Sequence, residues 1–347
     1  MTASQKATSM CSVSAEQWLR LILKPADPTD IWTAVFAQLR DLALSLASSP
    51  IGKGWADNLH RETIVPDRLL ADSAWDLWQD FARCAPTVVD ELKKFWVSTP
   101  ASGTAVLVLD GLSLRELPLI VQSGQSRGLS PVRVEVRGSE VPSETDRFAA
   151  ALGLPSRSKL YNNLAPGTFI FSGSDVYTDL LDAPFADCLG AIPSSPRLFL
   201  WHKWPDEPLI HLHADKKDGP GVVAAQTKAE LGSDGFWALV DRVRQGRRLL
   251  ITGDHGYATS SDFSNEEKNE DTIKLLRTHL GASRCVQENP QAPWPRQHLP
   301  PLVVRHDGWL VVMGQRKWAV QGGFPHLCHR GLSLLEASVP VIEYPEK

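Results

Sequence analysis

The sequence predicts an α/β protein whose mostly parallel sheet has helices on both faces, preceded by a small helical domain. Three observations support this prediction. Apolar residues recur at three- and four-residue spacing in residues 14–98, which is typical of helices. From residue 104 onward, apolar runs of strand length alternate with helical segments, which favours parallel strands. The 347 residues with 43% hydrophobic content are sufficient for a sizeable core.

The first part of the chain is predicted to be a loosely ordered or disordered start, residues 1–13, and a helical N-terminal domain, residues 14–98. The predicted helices cover residues 15–23, 28–46, 67–83 and 87–97. Asp30 is typical of a helix N-terminus, and Pro86 of a break between helices. Residues 98–103 are predicted to be a linker.

The second part, residues 104–347, is predicted to be one domain that contains the sheet. The predicted strands lie near residues 104–110, 131–137, 168–172, 197–202, 249–253 and 338–343. The predicted helices lie near residues 113–127, 145–152, 234–246 and 265–280. Residues 287–301 are predicted to be a long loop. Residues 302–320 are predicted antiparallel strands, with Asp307 and Gly308 as a hairpin turn.

Two of the predicted strands end on residues of the types that bind metal ions in proteins. The apolar run in residues 249–257 stops at Gly253 and is followed by Asp254 and His255, and the run in residues 104–111 ends on Asp110. Buried parallel strands gather their ligands at their C-terminal ends, and a carboxylate beside an imidazole is half of a metal site. For residues 254–256 alone, a turn capped by Asp254 is the simpler interpretation, and Asp110 is what favours a shared site.

A hydroxyl-rich segment lies between these two strands in the sequence. Ser143 and Thr145 follow Pro142 and precede the predicted helix at residues 145–152. A threonine there has its hydroxyl at a helix N-terminus, where backbone N–H groups and the dipole favour an oxyanion or a phosphate. Ser143 or Thr145 could also be an N-cap without chemistry, and for this segment alone that is the simpler explanation.

The order of these groups resembles the alkaline phosphatase superfamily and, within it, the PglZ domain family. Five stretches show the resemblance: residues 106–112 (VLVLDGL), 142–155 (PSETDRFAAALGLP), 198–206 (LFLWHKWPD), 251–256 (ITGDHG) and 329–342 (HRGLSLLEASVPVI). They lie in the family's order within residues 104–344. Each stretch alone is a weak indicator, and the ordered set is fairly specific.

The resemblance implies a two-metal phosphoesterase with Thr145 as nucleophile. It assigns one cation to Asp110, Thr145, Asp254 and His255, and the other to Asp206, His329 and His202. Zinc suits this mixed ligand set best, with manganese or magnesium as alternatives. Two cations roughly 4 Å apart clamp a phosphoryl group, and coordination makes a threonine alkoxide accessible.

The chain departs from the family's usual pattern at three places. Arg330 and Gly331 stand where two glycines usually follow the last histidine. Gly-Leu-Ser follows Asp110 in place of an Arg-aromatic-acidic run, and Ile210 replaces an acidic residue four positions after Asp206. The ligands of the second cation therefore stay open among five histidines: His202, His211, His213, His326 and His329.

Three cationic residues near these stretches are candidate substrate contacts: Arg115, Arg147 and Lys203. An arginine fork suits phosphate oxygens, although a surface or helix-pairing role fits either arginine equally well. A lysine beside a loop is more often solvated. His211 and His213 alternate with apolar residues, which predicts a strand with both histidines on one face. A polar sheet face explains that pair more simply than metal binding.

The resemblance implies a phosphodiesterase or phosphatase that acts on nucleotide-type phosphoesters, with diesters favoured over monoesters. It also implies a bacterial signalling or phage-defence system, in which the N-terminal helices would dock a protein partner. The main alternative is a weak or inactive PglZ-type adaptor in a defence complex. A phosphoglycerate-mutase-like transferase fits less well, since those enzymes carry an inserted domain for which this chain has little room.

Composition excludes several other classes of function. The net charge of −4 argues against an extensive duplex DNA surface and suits small nucleotides or oligonucleotides better. The chain has no run of about 20 apolar residues for a membrane span, and its polar start lacks a secretory signal. Its five scattered cysteines are typical of reduced thiols, so we expect a cytoplasmic protein.

Overall fold

The computed structural model describes residues 14–46, 54–98, 103–171, 173–266, 269–295 and 301–347. The predicted loose start at residues 1–13 lies outside the described residues. So do residues 99–102 of the predicted linker and residues 296–300 of the predicted long loop.

The helices of the described residues follow the chain as α1 Ala15–Ile22, α2 Pro28–Leu46, α3 Trp55–Asp72, α4 Trp75–Gln79, α5 Phe81–Cys84, α6 Val88–Val97, α7 Leu117–Ser126, α8 Thr145–Ala151, α9 Gly219–Leu231, α10 Asp234–Val243 and α11 Glu270–Leu280. The strands are β1 Gly103–Leu109, β2 Arg133–Gly138, β3 Asp175–Tyr177, β4 Arg197–His202, β5 Arg247–Thr252, β6 Ala258–Thr259, β7 Ser264–Asn265, β8 Cys285–Gln287, β9 Val303–His306, β10 Trp309–Val312, β11 Arg316–Lys317, β12 Leu327–Cys328 and β13 Ser338–Tyr344.

A six-stranded sheet with the order β2-β13-β5-β1-β4-β3 forms the centre of the fold. Only β13 runs antiparallel to its neighbours, β2 and β5. On β1, Leu107 and Leu109 join one apolar cluster and Val106 and Val108 join another, so both faces of the strand are buried. Burial on both faces explains why the strand is a continuous apolar run.

Helices cover both faces of this sheet. Trp32 of α2 and Val240 of α10 pack in the same cluster as Leu107, whereas Leu92 of α6 and Phe148 of α8 pack with Val106. The prediction of an α/β fold with a mostly parallel sheet, helices on both faces and a helical N-terminal region is confirmed. The N-terminal helices share an apolar cluster with the sheet, and the domain boundaries stay a prediction.

Three predicted elements differ from the structure. The predicted helix at residues 67–83 is the end of α3 followed by α4 and α5, because α3 begins at Trp55 and continues through Pro66. The predicted strand at residues 168–172 is wrong for residues 168–171, since β3 begins at Asp175 and Phe169 and Phe171 are core aromatics outside any strand; residue 172 lies outside the described residues. The predicted strand containing His211 is also wrong, because Asp206–His211 form a π-helical turn.

A smaller antiparallel sheet, β8-β10-β9, follows the main β-α units. Its β9–β10 hairpin turns at Asp307 and Gly308, with φ of 47° and 77°. Positive φ at both central residues is the requirement of a type I′ turn, and the predicted hairpin is confirmed. No helix in the described part of the chain is long and apolar enough to cross a membrane.

Candidate metal centre

A first group of potential ligands lies at the C-terminal ends of the neighbouring strands β1 and β5. Asp110 follows β1, and Asp254 and His255 follow β5. Their ligand atoms lie within 4.8 Å of one another, and all three side chains are buried. The structure therefore brings together the carboxylate and imidazole groups that the two strand ends suggested.

In the described part of the chain, only one of the two carboxylate oxygens of Asp254 is hydrogen-bonded to the surrounding backbone. Oδ1 accepts hydrogen bonds from the N–H groups of Gly111 at 2.8 Å and His255 at 3.0 Å. Oδ2 is buried and has no hydrogen-bond partner among the described residues. A buried carboxylate oxygen without a partner is costly, so this atom is available to a cation.

The buried carboxylates of the first group raise the pKa values of their neighbours. Burial and the neighbouring carboxylate of Asp254 raise the pKa of Asp110 to about 8. Burial alone would lower the pKa of His255, but the carboxylates of Asp254 and Asp110 raise it to about 10. Protons on Asp110 and His255 thus compensate the buried carboxylate charge, a role that a bound cation would take over.

Thr145 lies at the edge of the first group. Its Oγ1 donates to Asp110 Oδ1 at 3.1 Å and is 3.4 Å from His255 Nε2. Thr145 is the first residue of α8, and the N-cap, Glu144, makes no capping hydrogen bond. Ser143 bonds to Gly331 O at 2.9 Å instead. The Thr145 hydroxyl therefore faces the ligands, and neither hydroxyl caps the helix.

A second group consists of Asp206, His211 and His329, whose ligand atoms also lie within 4.8 Å of one another. Asp206 and His211 are the ends of the π-helical turn, in which Ile210 N donates to Pro205 O at 3.0 Å. His211 Nε2 is 3.5 Å from Asp206 Oδ2. Asp206 Oδ1 is buried without a hydrogen-bond partner in the described chain, as Asp254 Oδ2 is in the first group.

The two groups adjoin. The rings of His255 and His329 stack with centroids 4.4 Å apart and planes 12° from parallel. Asp206 N donates to Asp110 O at 3.0 Å. Between them, Gly111 has φ of 74°, and a Cβ there would lie 3.1 Å from Asp206 Cβ. Glycine at this position allows the close approach of the segments that carry the two groups.

Buried carboxylates hold the segment that carries His329. Glu336 accepts a hydrogen bond from Gly331 N at 3.0 Å and forms an ion pair with Arg284, whose Nη2 lies 2.6 Å from Oε2. Asp67 of α3 accepts a hydrogen bond from Leu334 N at 2.7 Å. The position of His329 therefore depends on the N-terminal helices as well as on its own loop.

Two predicted site residues at the end of β4 lie outside both groups. His202 Nε2 is 2.9 Å from Ala183 O, and its Nδ1 accepts a hydrogen bond from Trp204 N at 3.0 Å. Burial lowers its pKa to about 4, which keeps the ring neutral. Because both ring nitrogens are engaged, the prediction of His202 as a ligand is not supported. Lys203 pairs with Asp182 at 3.3 Å.

The predicted substrate-binding arginines are also engaged within the protein. Arg115 is buried, donates to Thr259 Oγ1 at 2.7 Å and lies 3.3 Å from His60 Nδ1. Arg147 pairs with Asp307 of the β9–β10 hairpin at 2.6 Å. The contacts of Arg115 are therefore those of a structural residue, and Arg147 connects α8 to the hairpin.

His211 is the ligand candidate that sequence reasoning left open and explained more simply as part of a sheet face. The alternation of His211 and His213 predicted a strand, whereas a turn places His211 beside Asp206. Pro208 within this segment was a usable signal, since proline disfavours the interior of a strand. His213 and His326 belong to neither group among the described residues.

No protein-family model matches the chain, and no curated protein matches it. Among solved structures, phosphonoacetate hydrolase from Sinorhizobium meliloti aligns with a TM-score of 0.41 and 15% identity, over 72% of this chain and 91% of that one. Murine ectonucleotide pyrophosphatase/phosphodiesterase 5 aligns with a TM-score of 0.40 and 13% identity, over 71% and 88%. The human form of the same protein aligns with a TM-score of 0.40 and 12% identity, over 70% of this chain and 88% of that one. Similarity at this level carries no conclusion about activity.

Proposed function

We propose that the chain is a metal-dependent phosphoric ester hydrolase of the alkaline phosphatase superfamily and of PglZ type, with Thr145 as its nucleophile. One observation carries the proposal. The Thr145 hydroxyl is hydrogen-bonded to Asp110 at the edge of two adjoining carboxylate and imidazole groups. A hydroxyl in that position is suited to attack a group held between two cations.

The donor atoms fit divalent cations. Each group offers carboxylate oxygen and imidazole nitrogen, and each contains one buried carboxylate oxygen without a hydrogen-bond partner in the described chain, on Asp254 and on Asp206. Three protein ligands leave positions for substrate, and the mixed set favours zinc over manganese or magnesium. When bound, two such cations would neutralise the phosphoryl charge and polarise its oxygens.

Asp110 and Thr145 would have different roles in the reaction. Asp110 Oδ1 accepts the hydrogen bond that orients the Thr145 hydroxyl, and it would accept the proton that leaves Oγ1 during the attack. The bond from Thr145 Oγ1 to phosphorus forms as the bond from phosphorus to the leaving-group oxygen breaks, and the leaving group takes up a proton. Water then hydrolyses the phosphothreonine and regenerates the hydroxyl.

The proposed substrates are nucleotide-type phosphoesters, with diesters favoured. This substrate class, a role in bacterial signalling or phage defence, and a protein partner for the N-terminal helices rest on the resemblance of the ordered sequence stretches to the PglZ family. The proposed cytoplasmic location rests on the five scattered cysteines. The geometry of the metal centre supports the reaction type alone.

The test compares the wild type with Thr145→Ala. We expect close to two equivalents of zinc in the purified protein, and hydrolysis of bis(4-nitrophenyl) phosphate in preference to 4-nitrophenyl phosphate. Thr145→Ala should lower kcat by a factor on the order of 10⁴ to 10⁶, since it removes the attacking atom. The matched control, Thr145→Ser, keeps a hydroxyl and should retain measurable turnover with the same metal content.

Two results would contradict this proposal. Undiminished hydrolysis by Thr145→Ala would refute the nucleophile. A wild type with neither bound metal nor turnover would favour the alternative of an inactive adaptor.

A further inference from the structure

Arg330, the residue after His329, has an unusual backbone conformation. Its φ is 82°, in the left-handed region that side chains disfavour. Glycine adopts this conformation without steric cost, so the backbone gains nothing from an arginine here. Such conformations outside turns cluster at functional sites, which makes the contacts of Arg330 informative.

The backbone of Arg330 lies between the proposed nucleophile and the second group. Arg330 N is 3.0 Å from Ser143 Oγ and 3.1 Å from Ser143 O. His329 Nδ1 lies 3.4 Å from the same carbonyl oxygen. Since Ser143 is two residues before Thr145, the Arg330 side chain begins where the two halves of the candidate site meet.

The guanidinium of Arg330 forms an ion pair with Glu144 and lies beside the ring of Trp309. Its Nε is 2.7 Å from Glu144 Oε2, and its central carbon is 5.8 Å from the centroid of the Trp309 ring. The side chain of Arg330 is 37% exposed, against 12% for Glu144. A carboxylate and an aromatic ring thus flank the guanidinium. Its Nε is buried and makes no hydrogen bond within the described chain, and the side chain as a whole stays partly accessible to solvent.

The other candidate cations have partners within the protein. Arg147 pairs with Asp307, Lys203 pairs with Asp182, and Arg115 is buried against Thr259. Within the described ranges, the remaining cationic candidate beside both the Thr145 segment and the His329 segment is Arg330.

We propose that Arg330 is a substrate-binding residue whose guanidinium contacts a non-bridging oxygen of the substrate's phosphoryl group, oriented by Glu144 and Trp309. This inference rests on the proposed hydrolase function. Arginine presents N–H donors in a planar fork that matches two phosphate oxygens, which a lysine ammonium does not. Recognition by Arg330 adds to the affinity for any phosphoryl group, including free orthophosphate.

The experiment uses the full chain and orthophosphate as the probe. Arg330→Asn removes the charge with a residue that tolerates positive φ, and Arg330→Lys keeps the charge without the fork. We expect KM for bis(4-nitrophenyl) phosphate and the inhibition constant of orthophosphate to rise about tenfold or more in Arg330→Asn. Arg330→Lys should give an intermediate rise, and zinc content should stay at the wild-type level.

Two further variants test whether Arg330 binds substrate or only forms a structural ion pair with Glu144. Glu144→Gln keeps the guanidinium and loses only its orientation, so orthophosphate inhibition should weaken less than in Arg330→Asn. Arg330→Gly relieves the backbone and should have a Tm at or above that of the wild type, with the same weakened inhibition. If the Arg330–Glu144 ion pair were purely structural, Glu144→Gln and Arg330→Asn would lower Tm by the same amount and leave orthophosphate inhibition unchanged. That result would overturn the inference.

The possible failures are distinguishable. If the wild type hydrolyses the diester and all Arg330 variants keep its KM and its orthophosphate inhibition, the inference about Arg330 is wrong and the hydrolase proposal stands. A wild type without metal and without hydrolysis overturns the hydrolase proposal, and the Arg330 inference with it.

Discussion

The two groups of the candidate centre are built in different ways. Asp110, Asp254 and His255 are at most 5% exposed and extend directly from neighbouring strands at the centre of the sheet. In the second group, the His211 side chain is 57% exposed and comes from a single turn, and His329 comes from a loop. The first group is thus positioned by the sheet itself, whereas the second depends on contacts made by residues far away in sequence.

The largest contrast should follow from removing one ligand of the first group. In Asp254→Asn we expect the loss of one equivalent of zinc and a fall in kcat/KM on the order of 10³-fold or more. The expectation is severe because Asp254 Oδ1 also holds the N–H groups of Gly111 and His255. Metal analysis and steady-state kinetics measure both effects. Wild-type zinc content in this variant would show that the first group is not a metal site.

A smaller effect should follow in the second group, where His211 and His202 were competing candidates. His211→Ala should lower zinc content toward one equivalent and reduce kcat/KM about 10- to 100-fold, since an exposed ligand is more easily replaced by water. The matched variant His202→Ala should keep both equivalents, because the ring nitrogens of His202 already have partners. Loss of zinc in His202→Ala with none in His211→Ala would reverse this assignment.

The smallest expected effect concerns the sheet positions that support the first group. A Cβ on Gly253 would lie 2.3 Å from Leu112 O, so Gly253→Ala must push β5 away from the loop after β1. We expect a loss of about 1–3 kcal/mol in the free energy of unfolding, measured by urea denaturation. At Gly190 nothing lies within 4 Å of such a Cβ, and Gly190→Ala should change stability little. Equal stability of the two variants would contradict the tight contact.

The sequence predicted the central strands correctly, because strands that are buried on both faces have recognisable apolar runs. β1, β4 and β5 are continuous apolar runs because both faces of the sheet are covered, and their ends led directly to Asp110 and Asp254. Helix α3 was partly missed because Pro66 stands inside it. An interior proline normally ends a helix, and tertiary packing overrides that local preference here.

The second group was harder to predict from sequence. Asp206 and His329 were recognised from the ordered stretches, but the alternation of His211 and His213 predicted a strand where the chain forms a π-helical turn. Whether a short segment alternates in a strand or turns depends on what packs against it, and the local pattern does not contain that information. The contact of His202 Nε2 likewise depends on Ala183, 19 positions away in sequence.

Asp67 has a consequence for how the chain can be divided. Its two carboxylate oxygens accept hydrogen bonds from Leu334 N and Gln315 N, so a residue of α3 anchors the stretch of polypeptide that ends in β13. A shortened protein starting at β1 would leave both amides without these acceptors. Residues 103–347 are therefore supported internally by the N-terminal helices, and a protein made of those residues alone would lack two hydrogen bonds that anchor the chain before β13.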